Sequence, residues 1–217
     1  MYKDRINAGK KLAQQLLHYK NDNPLVLAVP RGGLPLGKVV AETLKTPLDI
    51  VLSKKIGHPY NKEYAIGAVS LTNHILNRTV GISEDYLFQE ITRIKKNLIE
   101  KHEKYYQNVE PQPLINKTVI IVDDGVATGS TLLATVNLVS KQQPNKIVVA
   151  IPVASKSAID RLNASDDIHE IICLQTPDHF KAVGQFYDDF TSVSDEEAIR
   201  ILENANSNNA LVKKTTD

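Results

Sequence analysis

Val119-Ile120-Ile121-Val122-Asp123-Asp124-Gly125-Val126-Ala127-Thr128-Gly129-Ser130-Thr131 decides the reading of this chain. A β-branched run ends abruptly in two carboxylates, a turn of small residues follows, and a helical spacing begins at Leu132, Leu133, Val136 and Val139. An edge or half-exposed strand would alternate; this run is apolar on both faces, the pattern of a buried parallel strand. A strand–turn–helix of this kind brings helix N-terminal N–H groups to the carboxyl end of a sheet. That is where open α/β sheets take ligands, and where unpaired donors and a positive helix end meet an anion. Gly129 lets the backbone approach closely, and Thr128, Ser130 and Thr131 add hydroxyl donors. No Gly-x4-Gly-Lys precedes these hydroxyl residues, and no Gly-x-Gly-x-x-Gly exists in the chain, so neither a Walker A loop nor a Rossmann fingerprint is present.

What remains is a phosphate cradle with two adjacent acids just upstream, an arrangement suited to a sugar phosphate. The stretch closely resembles the PRPP-binding motif of the type I phosphoribosyltransferases: an apolar strand, Asp-Asp, a short spacer and Thr-Gly-x-Thr. The resemblance implies that Asp123 and Asp124 bind the ribose hydroxyls and, directly or through water, Mg²⁺. It also implies that Gly125, Val126, Ala127, Thr128, Gly129, Ser130 and Thr131 hold the 5′-phosphate. Adjacent residues on an extended strand point to opposite faces, so both acids touch one sugar only if the backbone turns at Asp124; otherwise one is structural.

With 217 residues, 42% hydrophobic and 24% charged, the chain reads as a globular protein with one substantial core. Its net charge of +1 argues against a nucleic-acid or membrane surface, so any basic site is local. Cys173, the one cysteine, sits in an apolar run and reads as a core thiol. Met1-Tyr-Lys-Asp-Arg lacks an apolar signal core, and a cytoplasmic location is expected.

In chain order, residues from about Asp4 to Tyr19 predict a helix buried through Ala8, Leu12, Ala13, Leu16 and Leu17. Leu25–Val29 reads as the first core strand, 34–44 as a helix and Leu48–Leu52 as a second strand running into Lys54-Lys55. Ile56 to Tyr64, with Gly57, Pro59 and several polar residues, reads as a mobile loop; 65–70 with Asn73–Asn77 reads as a short hairpin. Ser83 to about Tyr106 is the longest predicted helix, capped by Ser83, with Leu87, Ile91, Ile94 and Leu98 as its stripe. Beyond the central unit, 146–151 predicts a strand, 155–162 a helix, 168–174 a strand and 194 onward a last helix, with a polar, frayed end from Asn204. Strands alternating with helices at this spacing predict an α/β fold: a doubly wound, mainly parallel sheet flanked by helices, with a small irregular hood. The expected organisation is a single domain over 1–204, with its core at about 24–174 and a hood at about 175–204 joined by the N-terminal helix 4–19. A flexible tail, 205–217, is expected to follow.

Two further features fall at the carboxyl ends of predicted strands. Arg31-Gly32-Gly33 offers a guanidinium fork beside glycines that let N–H groups reach an anion. It is similar to the family's pyrophosphate loop, which often contains a non-proline cis peptide, and such a bond is expected between Pro30 and Arg31. Lys54-Lys55-Ile56-Gly57 is similar to the basic segment that opens the mobile catalytic loop of adenine-type members. His58 and Glu63 in that loop are read as solvated rather than as acid–base groups.

The activity that the resemblance implies is transfer of ribose 5-phosphate from PRPP to a small nitrogenous base, with release of pyrophosphate and dependence on Mg²⁺. Arg31, Lys54 and Asp124 are then the catalytic candidates, and a homodimer is expected. In 6-oxopurine members an Asp precedes Thr-Gly; here it is Ala127, as in adenine-type members. Residues 177–180 and 183–188 resemble a hood segment of hypoxanthine-type enzymes, whose Phe180, Phe186 or Tyr187 could stack on a base. The combination matches neither group and is most similar to bacterial members of unassigned acceptor. The rival reading is a non-catalytic PRPP- or nucleotide-sensing regulator that keeps the cradle without turnover.

Overall fold

The structure, a computed structural model, describes residues 1–76 and 81–213, with the backbone alone for Glu63 and 208–213. Five parallel strands form the central sheet in the order β2 (Leu48–Ile50), β1 (Pro24–Ala28), β6 (Thr118–Val122), β7 (Lys146–Val153) and β8 (Glu170–Gln175). Alternate residues of the inner strands feed two separate cores. Val26, Ala28, Ile120, Val122, Val148 and Ala150 face one side, packed with α1 (Arg5–Gln15), α2 (Gly33–Leu44) and α6 (Asp195–Lys213). Leu25, Leu27, Val119, Ile121, Val149 and Ile151 face the other, under α4 (Ser130–Ser140) and α5 (Lys156–Asn163). Because helices cover both faces, an uninterrupted apolar strand such as β6 is the stable solution, and the doubly wound sheet expected from the sequence is the one found.

A second, antiparallel sheet, β3 (Ser53–His58), β4 (Asn61–Ser70) and β5 (His74–Leu76), corrects the expectation of a mobile loop over Ile56–Tyr64. The segment is a hairpin that turns at Pro59-Tyr60, with a register irregularity at Gly57, where a Cβ would lie 2.6 Å from the Lys62 carbonyl oxygen. Its apolar residues Ile56, Ile66 and Val69 join the larger core, but they are scattered through a run rich in lysine and turn residues, with no alternation to mark the strands. Lys54 and Lys55 therefore sit inside β3, not at the end of β2. Of the hairpin predicted at Asn73–Asn77, residues 74–76 form β5 and Asn77 lies outside the described residues, as does the Glu63 side chain.

Between the two sheets in sequence, α3 (Glu84–Tyr105) is capped by Ser83, whose side chain accepts from the Tyr86 N–H, and buries Leu87, Ile94 and Leu98. The last helix continues past Asn204 to Lys213, and residues 214–217 lie outside the described residues. Among the described residues no helix is long and apolar enough to cross a membrane.

Candidate active site

Register places the ends of β1 and β6 side by side, with Ala28 opposite Val122 and the Val29 N–H donating to the Val122 carbonyl at 2.9 Å. The loop after β1 is drawn against the motif after β6 so closely that two glycines are obligatory by space alone. A Cβ on Gly33 would lie 2.5 Å from the Val122 carbonyl oxygen, and one on Gly32 would lie 2.0 Å from Asp124 Oδ2. The Pro30–Arg31 bond is cis, as expected. On its other side the motif is stitched to the end of β7. Val126 N–H donates to the Val153 carbonyl (2.9 Å), the Ser155 N–H to the Val126 carbonyl (3.0 Å), and Ser155 Oγ to the Ala127 carbonyl (2.6 Å). Gly129 adopts a left-handed conformation (φ +74) as the N-cap of α4, which is why a small turn can lead directly into the helix.

A cleft of about 280 Å³ opens over this turn, lined by Asp123, Gly125–Gly129, Thr131, Leu132 and Val183. The cleft thus collects the strand-end acid, the small-residue turn and the first turn of α4, whose leading N–H groups lack intrahelical partners. Thr128 and Thr131 are exposed at it. Ser130 is not among its walls: it is buried, and its Oγ accepts from Arg161 Nη1 on α5.

The two acids take different directions. Asp123 lines the cleft, and its Oδ1 accepts from the Asp124 N–H at 2.8 Å. Burial and the adjacent Asp124 charge hold its carboxyl well above the usual carboxylate range. Asp124 turns toward α1 and the Arg31–Gly33 loop, where Arg5 Nε (2.9 Å) and Nη2 (2.8 Å) both donate to its Oδ2. Burial raises the Asp124 carboxyl and the Arg5 guanidinium opposes that rise. The Asp124 carbonyl accepts the Tyr187 hydroxyl at 2.6 Å.

Arg31 is half exposed, and its Nη1 lies 3.5 Å from Asp195 Oδ1 at the start of α6. Asp195 also accepts from Lys104 Nζ (3.1 Å) and the Tyr105 hydroxyl (3.0 Å). Lys54 lines a groove with Lys101 and Lys104 of α3, and Lys104 in turn shares Asp195 with Arg31. The structure therefore brings the Arg31–Gly33 loop and the Asp123–Thr131 motif into contact, and places Lys54 and Lys55 on β3 of the antiparallel sheet. Of the three aromatic candidates, Tyr187 is buried against Tyr2 and Phe190, while Phe186 packs on the core and pairs with Phe180 at 5.4 Å.

Arg5 is the site residue that sequence reasoning missed. It stands three residues before Ala8 and seven before Leu12, in phase with the buried stripe of α1, and a charged residue in that phase was the available signal. Among the described residues no cluster of three or more His, Cys, Asp or Glu is arranged to hold a metal ion.

Comparison with known proteins agrees with this geometry. A phosphoribosyl transferase domain model matches residues 1–191. A Mycobacterium tuberculosis protein, provisionally named a phosphoribosyl transferase, is 35% identical over 211 residues, covering 94% of this chain and 47% of that protein. The chain thus spans about half the length of the curated relatives it matches. The crystal structure of TT1426 from Thermus thermophilus matches with a TM-score of 0.87 and 37% identity, over 94% of this chain and 98% of that one. A Neisseria gonorrhoeae protein, crystallised with bound ppGpp, shares the fold alone, with a TM-score of 0.50 and 14% identity over 94% and 98% of the two chains.

Proposed function

Because this chain belongs to the phosphoribosyl transferase family, we propose that it transfers ribose 5-phosphate from PRPP to a nitrogenous base and releases pyrophosphate. The observation that carries the reading is the contact between two loops. The Gly32 backbone lies against the Asp124 carboxylate, so a leaving-group loop and a sugar-phosphate loop share one rim of a rigid sheet.

In this reading the 5′-phosphate occupies the cleft over Gly125–Thr131, received by N–H groups at the start of α4 and by the exposed Thr128 and Thr131 hydroxyls. The ribose hydroxyls lie at Asp123, which keeps an acceptor edge toward the cleft. Asp124 joins them only by a carboxylate edge that Arg5 does not take. The pyrophosphate leaves over Gly32 and Gly33 toward Arg31. A loose transition state, with positive charge on the sugar and negative charge on the departing group, asks for little covalent help. Positioning and preorganised donors carry the rate, and one donor is worth ~3–4 kcal/mol.

The donor set fits Mg²⁺ in charge: a buried acid crowded by its neighbour, with its proton affinity raised, is relieved by a cation. Asp123, and Asp124 through water, would hold the ion, which when bound would neutralise negative charge on the departing pyrophosphate.

The test is incubation with PRPP, Mg²⁺ and a panel of purine, pyrimidine and pyridine bases while pyrophosphate is measured. Base-dependent pyrophosphate release supports transfer. Saturable PRPP binding with no release for any acceptor would instead make the protein a sensor.

A further inference from the structure

Arg5 is bound at every polar corner of its side chain. Nε and Nη2 hold Asp124 Oδ2, Nη1 donates to the Thr191 carbonyl at 2.7 Å, and Cζ lies 3.9 Å from the centre of the Phe190 ring. The side chain is 11% exposed and its partner carboxylate 14%. This is unusual for the first residue of a helix, a position where charged side chains ordinarily reach water.

The segment that carries Arg5 is itself tied to the hood. Tyr2 N–H donates to the Phe186 carbonyl (2.8 Å), Asp188 N–H to the Tyr2 carbonyl (2.8 Å) and Asp189 N–H to the Lys3 carbonyl (2.9 Å). The Tyr2 hydroxyl reaches the Pro152 carbonyl (2.8 Å) at the end of β7, and Tyr187, stacked beside Tyr2, holds the Asp124 carbonyl. Residues 2–5 and 186–191 thus form one clasp that grips both ends of Asp124, its backbone oxygen through Tyr187 and its carboxylate through Arg5.

We propose that Arg5 is a positioning residue for phosphoribosyl transfer: it fixes the Asp124 carboxylate between the Arg31–Gly33 loop and the clasp, and so sets the PRPP-binding rim. The inference rests on the reading of PRPP as the substrate. Arg5 does not line the cleft, and each of its three side-chain nitrogens is already engaged by Asp124 or Thr191. Its influence on the ligand passes through Asp124. A guanidinium suits this task because its donors are spread over three nitrogens in one plane, so it reaches the Asp124 carboxylate and the Thr191 carbonyl from separate atoms.

Transmission through another residue has a signature that general destabilisation lacks. PRPP affinity, measured by calorimetry with Mg²⁺ present, is compared for the unsubstituted protein, Arg5→Met, Asp124→Asn and the double variant. Expected are a loss of about tenfold for Arg5→Met and no further loss when it is added to Asp124→Asn, the non-additivity of a coupled pair. Arg5→Lys, which keeps charge and most of the volume, covers failure of the methionine variant to fold and should restore part of the affinity. Additive losses, or folded Arg5 variants that bind PRPP as the unsubstituted protein does, would overturn the positioning role while leaving the substrate reading intact. Absence of saturable PRPP binding by the unsubstituted protein would overturn both.

Discussion

Replacing Gly32 with alanine tests whether the two loops meet as described, because the usual effect of the substitution has the opposite sign. Gly32 has φ −60 and ψ −32 at the start of α2, a conformation that alanine adopts without strain. On backbone grounds alone, Gly32→Ala should stabilise by up to ~1 kcal/mol. Against this stands the methyl group itself, 2.0 Å from Asp124 Oδ2 and 2.6 Å from its Cγ. A flexible side chain would swing aside, but Asp124 is held by two Arg5 nitrogens in a nearly buried pair, so something structural must give. Inserting a methyl into a filled site costs about 1–3 kcal/mol, and complete loss of a buried pair would cost about 3–5 kcal/mol. With partial loosening of the pair and the propensity gain subtracted, a net destabilisation of about 2 kcal/mol follows, or about 4–8 °C in Tm for a chain of this size. Thermal and urea unfolding measure the stability, and PRPP titration measures the site, which should weaken together with it. A Gly32→Ala protein as stable as its parent or more so, with unchanged PRPP affinity, would show that the Arg31–Gly33 loop does not lie on Asp124.

Arg31→Ala should lower PRPP-dependent turnover by ~10²-fold if its guanidinium receives the leaving group, with little loss of stability from so exposed a position; an unchanged turnover number removes it from the site. Asp123→Asn should reduce pyrophosphate release more than it reduces Tm, and equal effects on both would reassign Asp123 to the fold. Asp49 is 3% exposed and accepts from the Ile50 N–H (2.7 Å), the Gln112 N–H (2.7 Å) and the Tyr106 hydroxyl (2.5 Å). Asp49→Ala would strand the Ile50 and Gln112 N–H groups and leave the Tyr106 hydroxyl only its 3.3 Å contact with the Ile50 carbonyl, and should cost about 3 kcal/mol in urea unfolding; a midpoint at the parental value contradicts that role. Burial pushes the Cys173 thiol up, so less of it is thiolate at pH 8 than in an unhindered thiol. Its reaction with a disulfide reagent should be slow in the folded protein, accelerate as pH rises and approach free-thiol rates in urea, whereas an immediate reaction at pH 7 refutes the burial.

The sequence carried the sheet because each inner strand is buried twice, and a run such as Val119–Val122 has no other stable place. It carried the Ser83 cap too, whose side chain accepts the Tyr86 N–H, whereas the caps at Asp4 and Ser155 emerged only in the structure. The β3–β4 hairpin was not legible, since Lys54, Lys55, Gly57 and Pro59 dominate its first half and its large buried apolar residues are Ile56, Ile66 and Val69. Spacing grouped Gly125–Thr131 and Gly32–Gly33; the structure sets Gly125–Gly129 and Thr131 along one cleft and Gly32 and Gly33 against Asp124 and Val122, because local turn chemistry shapes both segments. It could not say which way each acid turns, nor that Ser130 faces Arg161, since those directions depend on partners far along the chain. Arg5 shows the same limit at 119 residues from Asp124, although its phase on α1 marked it.

Arg5 and Arg31 both pair with carboxylates, and burial separates their tasks. The Arg31–Asp195 contact is 3.5 Å long, with the two side chains 49% and 32% exposed. An ion pair of that kind contributes about 0–1 kcal/mol, and Asp195 has Lys104 and Tyr105 as other partners when Arg31 departs. A pyrophosphate carrying several charges competes easily for such a guanidinium, so the pair presents Arg31 to an arriving anion. The Arg5–Asp124 pair is short, doubly donated and shielded by Phe190, and separating it would leave a charge unpaired in a nearly dry site, at about 3–5 kcal/mol. No ordinary ligand contact repays that, so Arg5 stays where it is through any binding cycle. A cation that can exchange partners meets the substrate, and one that cannot exchange holds the site in shape.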